Sequence, residues 1–258
     1  MSMDRKSFLK ITGCAVAGAI AGNKLAGIDV EAQDGSAAAY PDAKTAKRWG
    51  MVIDTRKCLK AEGCDKCMAA CHEVHNVPEV PTKEHEVKWI WKESYEHAFA
   101  KETEYPNEEL EQLDVLVFCN HCDEPPCVRV CPTQATWKRD SDGIVMMDWH
   151  RCIGCRYCVA ACPYGSRSFN WSDPRAHLDE TNLNYPTRTK GVVEKCTFCD
   201  ERLAKGLMPA CVEACPEGAM VFGDLSDPNS EVRQLIREQR TERRKPELGT
   251  KPEVFYIL

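Results

Sequence analysis

The feature that most constrains the fold is a run of four cysteines followed by proline, C-x2-C-x2-C-x3-C-P, at residues 152–163. In such a run, three closely spaced thiolates hold one iron–sulfur cluster and the fourth reaches a second cluster. The x3 step carries the chain into a helical turn that aims the last thiolate away, and the proline ends that turn. The run therefore predicts at least two clusters and a partner motif.

Three further groups of four cysteines accompany this run, and together the groups take up sixteen of the seventeen cysteines in the chain. If each group gives three thiolates to one cluster and one to a neighbour, four all-cysteine sites are filled with no ligand left over. We therefore expect four [4Fe-4S] clusters. In chain order, the groups are Cys58, Cys64, Cys67 and Cys71; Cys119, Cys122, Cys127 and Cys131; Cys152, Cys155, Cys158 and Cys162; and Cys196, Cys199, Cys211 and Cys215.

Two other uses of so many cysteines are less consistent with the spacing. An exported chain can use cysteines for a disulfide framework, but such frameworks do not repeat this spacing, and loops this tight are poor bridges. Structural zinc takes two separated cysteine pairs per ion rather than a run of four. A zinc or disulfide protein would be colourless, so colour alone separates these alternatives from an iron–sulfur protein.

Residues 1–32 predict an export signal. Residues 5–10 (Arg-Lys-Ser-Phe-Leu-Lys) form a charged region, residues 11–22 a short apolar stretch rich in small side chains, and residues 30–32 a cleavage site. Residues 5–10 resemble the twin-arginine signal with lysine in place of the second arginine. That route exports folded proteins with their cofactors, so the signal predicts a periplasmic protein. The alternative is an uncleaved N-terminal helix, and Cys14 is interpreted as an apolar residue of the signal.

Composition narrows the function further. The net charge of −6 argues against nucleic-acid binding. No apolar run is long enough to span a bilayer, so a membrane complex would need another subunit. No catalytic triad, phosphate loop or nucleotide fingerprint is present, and we assign no catalytic residue. Small cluster-binding modules have little apolar bulk, so we expect the metal–thiolate bonds to contribute much of the folding free energy.

The stretches between the cysteine groups predict short strands and helices, and hence an α+β fold. A hairpin is predicted over residues 135–147, because a turn at Asp140-Ser-Asp-Gly143 separates two β-prone stretches. A helix is predicted to start at residues 228–230 and to run to about residue 243. Strands are expected at residues 51–54, 113–118 and 218–222 and at the C-terminal end.

The four groups, the Cys-Pro endings of the last three and the tail Pro-Glu-Leu-Gly-Thr-Lys-Pro-Glu-Val-Phe-Tyr at residues 246–256 resemble the four-cluster iron–sulfur subunits of the dimethyl sulfoxide reductase family. The likeness covers residues 49–258. Within that family, residues 71–78 (Cys-His-Glu-Val-His-Asn-Val-Pro), residues 88–91 (Lys-Trp-Ile-Trp) and the export signal look most like the periplasmic DsrO-type subunit of sulfite-reductase-associated membrane complexes.

The resemblance implies two ferredoxin-like double-cluster modules with two insertions. One module, residues 49–77 and 190–258, would carry groups one and four. The other, residues 113–165, would carry groups two and three. The insertions would be residues 78–112 and 166–189.

The resemblance also implies that paired groups exchange their last cysteines. The four ligand sets would be Cys58, Cys64, Cys67 and Cys215; Cys196, Cys199, Cys211 and Cys71; Cys119, Cys122, Cys127 and Cys162; and Cys152, Cys155, Cys158 and Cys131. Group one has x5 where the family usually has x2, so we expect Cys58 to sit at a strained or differently placed corner. No group has a tryptophan or aspartate in place of a cysteine, which argues against a three-iron cluster.

The function implied by the resemblance is electron transfer. The chain would relay single electrons between an integral membrane quinone-interacting subunit and a periplasmic multihaem cytochrome c or other redox partner in a complex linked to sulfur metabolism. The alternative is the electron-transfer subunit of a molybdopterin polysulfide or thiosulfate reductase, with a molybdopterin subunit as partner, or of a menaquinone reductase. A neighbouring gene for a pterin enzyme would favour the alternative function. A neighbouring gene for a multihaem cytochrome would favour the relay between the quinone-interacting subunit and a cytochrome.

Several polar residues near the cysteines have two interpretations. His72 and His75 either bind a metal, approach a haem in a partner subunit, or pack or hydrogen-bond near group one, and we favour packing. His121, between Cys119 and Cys122, is interpreted as a loop residue rather than a ligand. Four cations either raise cluster potentials by stabilising the more negative reduced state or are solvated surface charges. These cations are Lys57, Arg151, Arg156 and Lys195.

Overall fold

The computed structural model describes residues 45–61, 63–99 and 114–258. The predicted export signal, Cys14 and part of the predicted first insertion lie outside the described residues. The strands are β1 (Trp49–Asp54), β2 (Ile90–Ser94), β3 (Asp114–Phe118), β4 (Thr136–Lys138), β5 (Val145–Met147), β6 (Ser168–Phe169), β7 (Val193–Glu194), β8 (Met220–Asp224) and β9 (Val254–Ile257).

The helices between these strands are short. They are α1 (Thr55–Lys60), α2 (Lys66–His75), α3 (Tyr95–Ala98), α4 (Pro126–Arg129), α5 (Tyr157–Ala161), α6 (Asp200–Leu203), α7 (Ala210–Glu213) and α8 (Glu231–Glu238), with 3-10 turns at Lys83–His85, Pro174–His177 and Pro246–Leu248. None of the described helices combines the length and apolarity needed to cross a bilayer. Small sheets mixed with short helices make the fold α+β.

The largest sheet places β1 between β8 and β9. β1 runs antiparallel to β8 and parallel to β9. Its side chains alternate between two faces, as the pleat of a strand requires: Met51 and Ile53 enter the main core, whereas Val52 packs with Val232 of α8. Because both faces of β1 are covered, this strand is buried almost along its whole length.

Two-stranded ladders make up the other sheets. β4 and β5 form the hairpin that the sequence predicts between groups two and three. β2 pairs with β3 from Ile90↔Phe118 to Ser94↔Asp114, so the predicted first insertion contributes a strand beside group two. β6 pairs with β7, which closes the predicted second insertion with a ladder between Ser168 and Glu194.

Most predicted elements are confirmed, with one error. The strands predicted near residues 51–54, 113–118 and 218–222 and at the C-terminal end are β1, β3, β8 and β9. The helix predicted to reach residue 243 ends at Glu238, because Gln239 is extended and Glu242 forms an antiparallel bridge with Tyr256 of β9. The chain beyond α8 therefore runs along the edge of the central sheet. The division into two modules stays a prediction.

Candidate cysteine-lined metal centres

Four cysteines from two distant segments line an open cavity of about 320 Å³, which we name site A. All four are half-buried. The wider x5 spacing of group one is taken up by α1, in which Cys58 lies, and by Gly63 with φ of +70°. Leu59 at the rim is 50% exposed. The members of site A are Cys58, Cys64, Cys67 and Cys215.

Two tighter cavities lie deeper in the protein. In site B, the packing of α2 against α7 brings Cys71 to Cys211. Three of the four cysteines in each of these two sites are buried. Site B consists of Cys71, Cys196, Cys199 and Cys211, and site C consists of Cys119, Cys122, Cys127 and Cys162.

The remaining four cysteines lie around the packed helices α4 and α5. Cys131, Cys152 and Cys158 pack into the same small apolar cluster, in which Cys158 is buried. Cys155 is half-buried in the loop between Cys152 and Cys158. We name these four residues, Cys131, Cys152, Cys155 and Cys158, site D.

The sites adjoin one another in the order A, B, C, D. Helix α2 carries Cys67 of site A and Cys71 of site B, stacked rings join the loops of sites B and C, and Cys127 of site C packs with Cys158 of site D. Burial raises the pKa of Cys211 in site B, and so do the thiolates of Cys196 and of Cys67 in site A. Burial, followed by the Cys119 thiolate of site C, raises the pKa of Cys196 to about 12. The outer sites A and D are mostly half-buried and the inner sites B and C mostly buried.

The donor sets fit a cationic iron–sulfur cluster. Burial, followed by the neighbouring thiolates, raises the pKa of Cys58 to about 12. Burial, followed by the Cys119 thiolate, raises the pKa of Cys122 to about 12. Four ionised thiols are therefore stable in such a cavity only around a positively charged centre. All sixteen described cysteines are free of disulfides. Four thiolates from a tight run plus a distant segment are the ligands of [4Fe-4S] clusters.

The C-x2-C loops of groups two, three and four share an unusual backbone. In each, the third residue has a positive φ: His121 at +41°, Gly154 at +69° and Phe198 at +56°. Left-handed conformations are uncommon for residues other than glycine, but within a turn they make successive N–H groups converge on an anion, as in many iron–sulfur sites. Consistent with this, the N–H of Phe198 lies 3.4 Å from Cys196 Sγ.

Gly154 allows the group-three loop to approach the second insertion. A Cβ at residue 154 would overlap the backbone oxygen of Gly191 and lie 3.1 Å from Phe169 Cε2. We expect Gly154→Ala to destabilise the protein by roughly 3 kcal/mol, through left-handed strain and overpacking. Gly165→Ala, at φ +66° with nothing within 4 Å, should show the strain alone. Thermal unfolding checks both, and equal losses in the two variants would contradict the clash.

His121 and Phe198 connect the loops of sites C and B. Their rings stack with centroids 3.7 Å apart. His121 Nδ1 accepts a hydrogen bond from the N–H of Val145 at 3.1 Å. Burial, together with the charges of Lys195 and Arg167, lowers the pKa of His121 well below its usual value, so the ring is neutral. It packs as a loop residue.

The other polar residues singled out from the sequence have varied surroundings. His75 is buried, stacks on Trp89 and lies 2.9 Å from the Cys71 carbonyl oxygen through Nδ1. Lys195 is fully buried and donates to the Cys196 carbonyl oxygen at 2.6 Å. Lys57, Arg151 and Arg156 are exposed; Arg151 pairs with Asp148 at 3.4 Å, and Arg156 lies over the Trp171 ring.

Two buried arginines near the sites were not predicted from the sequence. Arg167 donates to Cys127 Sγ at 3.1 Å, although the sequence placed it in an insertion. Arg188 forms a fully buried ion pair with Glu194 at 2.6 Å. The available signal for Arg167 was its position four residues after Pro163, which ends group three. No local signal marked Arg188, because its partners come from several segments.

Comparison with known proteins supports the iron–sulfur interpretation. The family profile described as a 4Fe-4S dicluster domain matches residues 115–177 and 181–225. The chain is 42% identical to the Hdr-like menaquinol oxidoreductase iron-sulfur subunit 1 of Archaeoglobus fulgidus, over 98% of this chain and 97% of the relative. It is 38% identical to the iron-sulfur cluster-binding subunit of menaquinone reductase from Nitratidesulfovibrio vulgaris, over 81% of this chain and 88% of the relative.

A third relative belongs to a reductase. It is one subunit of the tetrathionate reductase of Salmonella typhimurium and is 40% identical, over 81% of this chain and 72% of the relative. These similarities extend well beyond the cysteine groups. The chain therefore belongs to the family of 4Fe-4S dicluster iron–sulfur subunits that transfer electrons in quinol oxidoreductase and molybdoenzyme complexes.

Proposed function

We propose that the chain carries four [4Fe-4S] clusters, one in each of sites A to D, and relays single electrons along that row. The observation that carries the proposal is the order of the sites, with mostly half-buried cysteines at both ends and mostly buried ones between. Each bound cluster would accept and release one electron at a time. The protein's own part is to fix the separation of the sites, to exclude water from the inner pair and to expose the outer pair to partners.

The ligands we assign follow the four sites. Groups one and four supply sites A and B, and groups two and three supply sites C and D, each pair exchanging its last cysteine. Support comes from the three cavities in which the last cysteine of one group stands with three cysteines of another. The two-module division, residues 49–77 with 190–258 and residues 113–165, is part of the same proposal.

For the partners, we propose an integral membrane quinone-interacting subunit at one end of the row and a periplasmic multihaem cytochrome c at the other, in a DsrO-type complex linked to sulfur metabolism. The similarity to a menaquinol oxidoreductase subunit over 98% of this chain supports the quinone side. The predicted export signal supports a periplasmic, membrane-associated location through partner subunits.

The alternative function is that of the electron-transfer subunit of a molybdopterin reductase or a menaquinone reductase. The similarities to a tetrathionate reductase subunit and to a menaquinone reductase subunit favour it. Purification of the native complex separates the candidates. Molybdenum with a pterin in stoichiometric amount would select the molybdopterin reductase. Covalently bound haem without molybdenum would favour the DsrO-type complex over the molybdopterin reductase.

The cluster count is tested by anaerobic purification with iron, sulfide and zinc analysis. We expect about sixteen iron and sixteen sulfide per chain, because four cubane clusters each contain four of both. On reduction, interacting S = 1/2 EPR signals should appear. Cys14→Ser, outside the four groups, is the control and should keep all the iron. Zinc in place of iron would refute the proposal, and about half the expected iron would reduce the row to two clusters.

A further inference from the structure

A buried arginine lies against site C, at the cysteine that packs next to site D. Arg167 is 3% exposed and precedes β6. Its Nη2 donates to Cys127 Sγ of site C at 3.1 Å and to Thr136 Oγ1 at 2.8 Å. Its Nη1 lies 3.7 Å from Met147 Sδ. The guanidinium is therefore fixed against a cluster-binding sulfur by neutral neighbours on its other sides.

The cysteine that binds this guanidinium also borders site D. Cys127 and Cys158 belong to one small apolar cluster, into which Cys131 and Cys152 pack. The cation held at Cys127 of site C therefore lies next to the cysteines of site D.

Arg167 has no carboxylate within ion-pair distance in the described ranges of the chain, whereas the equally buried Arg188 pairs with Glu194 at 2.6 Å. A buried charge without a counter-ion is strongly unfavourable. The negative groups that face Arg167 are cysteine thiolates, and these are ionised when they bind iron. The cluster–thiolate units at sites C and D are therefore the natural counter-charges of Arg167.

We propose that Arg167 is a positioning residue that serves as the shared counter-ion of the clusters at sites C and D and raises the reduction potentials of both. This inference rests on the proposed function. Reduction adds one negative charge to a cluster, and a fixed positive charge in a water-poor interior stabilises that added charge more strongly than a surface cation would. Arg167 thereby shifts the electron toward the C–D half of the row.

The test is an EPR-monitored redox titration of the intact protein with dithionite as the reductant, in which each cluster takes up one electron and no bond is broken. In Arg167→Met, two of the four midpoint potentials should fall by about 59 mV or more. For a one-electron couple, that shift is a tenfold change in the reduction equilibrium constant. Arg167→Lys keeps the charge but loses the planar donor, so the same two potentials should fall less.

Arg151→Met is the matched control. Arg151 flanks Cys152 of site D, but its side chain is 64% exposed and paired with Asp148, so solvent screens its charge. All four potentials of this variant should equal those of the wild type. A shift as large as that of Arg167→Met would show that any nearby cation suffices and would overturn the special role of Arg167.

The remaining outcomes also decide the question. Four unchanged potentials in Arg167→Met, or a shift in only one, would overturn the shared role. If Arg167→Met loses iron from two sites and Arg167→Lys retains it, the charge is needed for assembly, which supports the proposal. Loss of iron in both variants would overturn it, because the charge alone is then not what the sites require. Absence of clusters from the wild type would instead refute the proposed function.

Discussion

Stripping the iron from the purified protein is expected to abolish its cooperative thermal unfolding transition. The cysteines of each site come from segments far apart in the chain, and most of the described helices that carry them have only four to six residues. Such short helices and the two-stranded ladders β4–β5 and β6–β7 are not stable by themselves. Cluster binding free energy is therefore folding free energy in this chain.

The measurement is circular dichroism on heating, before and after oxidation of the clusters and chelation of the released iron under reducing conditions that keep the thiols free. Reconstitution with ferrous iron and sulfide should restore the transition, and chelator without oxidant should leave it intact. A cooperative transition within a few degrees of that of the loaded protein would contradict the expectation and would give the apolar core the dominant role.

Arg188→Met is expected to cost about 3–5 kcal/mol, because it leaves the Glu194 carboxylate buried without its cation. Arg188 also donates to the carbonyl oxygens of His75 and Asn76, at the C-terminal end of α2. A cation at this end of a helix is favourable, and the contacts tie β7 to the helix that carries Cys71. We expect Tm to fall by roughly 10 °C, as measured by thermal unfolding of the loaded protein.

Two further variants control this experiment. Arg175→Met breaks an exposed pair with Asp173 and should leave Tm unchanged, since exposed ion pairs contribute little. The double variant Arg188→Met with Glu194→Gln should recover part of the loss, because the unpaired charge is then removed. A double variant no more stable than Arg188→Met would instead attribute the loss to the donors that Arg188 provides to α2.

The elements that the sequence predicts correctly are those specified by local patterns. The β4–β5 hairpin follows from a turn between two β-prone stretches, and β1, β3 and β8 follow from short apolar runs. The predicted end of α8 was wrong. The basic residues after Glu238 favour a helix, whereas the bridge between Glu242 and Tyr256 that replaces it is a long-range contact. The pairing of β2 with β3 is likewise a tertiary contact that no local pattern marks.

The same distinction between local patterns and long-range contacts applies to the candidate sites. Spacing alone predicts the sixteen cysteines as candidate ligands, because the tight loops and helical turns that hold a cluster are local structures. The surroundings of the sulfurs are not local. Arg167 reaches Cys127 across forty residues of sequence, and Lys195 is buried although its neighbours in the sequence are polar or cysteine. A charged residue next to a cysteine looks the same in the sequence whether it is solvated or buried.

The arrangement of the cysteine groups along the polypeptide sets an order in which the proposed clusters can be completed during synthesis. All the ligands assigned to sites C and D lie between Cys119 and Cys162, so these sites are fully encoded before the C-terminal third of the chain is made. Site A also needs Cys215, and site B needs Cys196, Cys199 and Cys211 in addition to Cys71. Neither ligand set is therefore complete before that last third has been made. A nascent chain can therefore hold the clusters of sites C and D before its C-terminal third is made, and Cys215 completes the last ligand set.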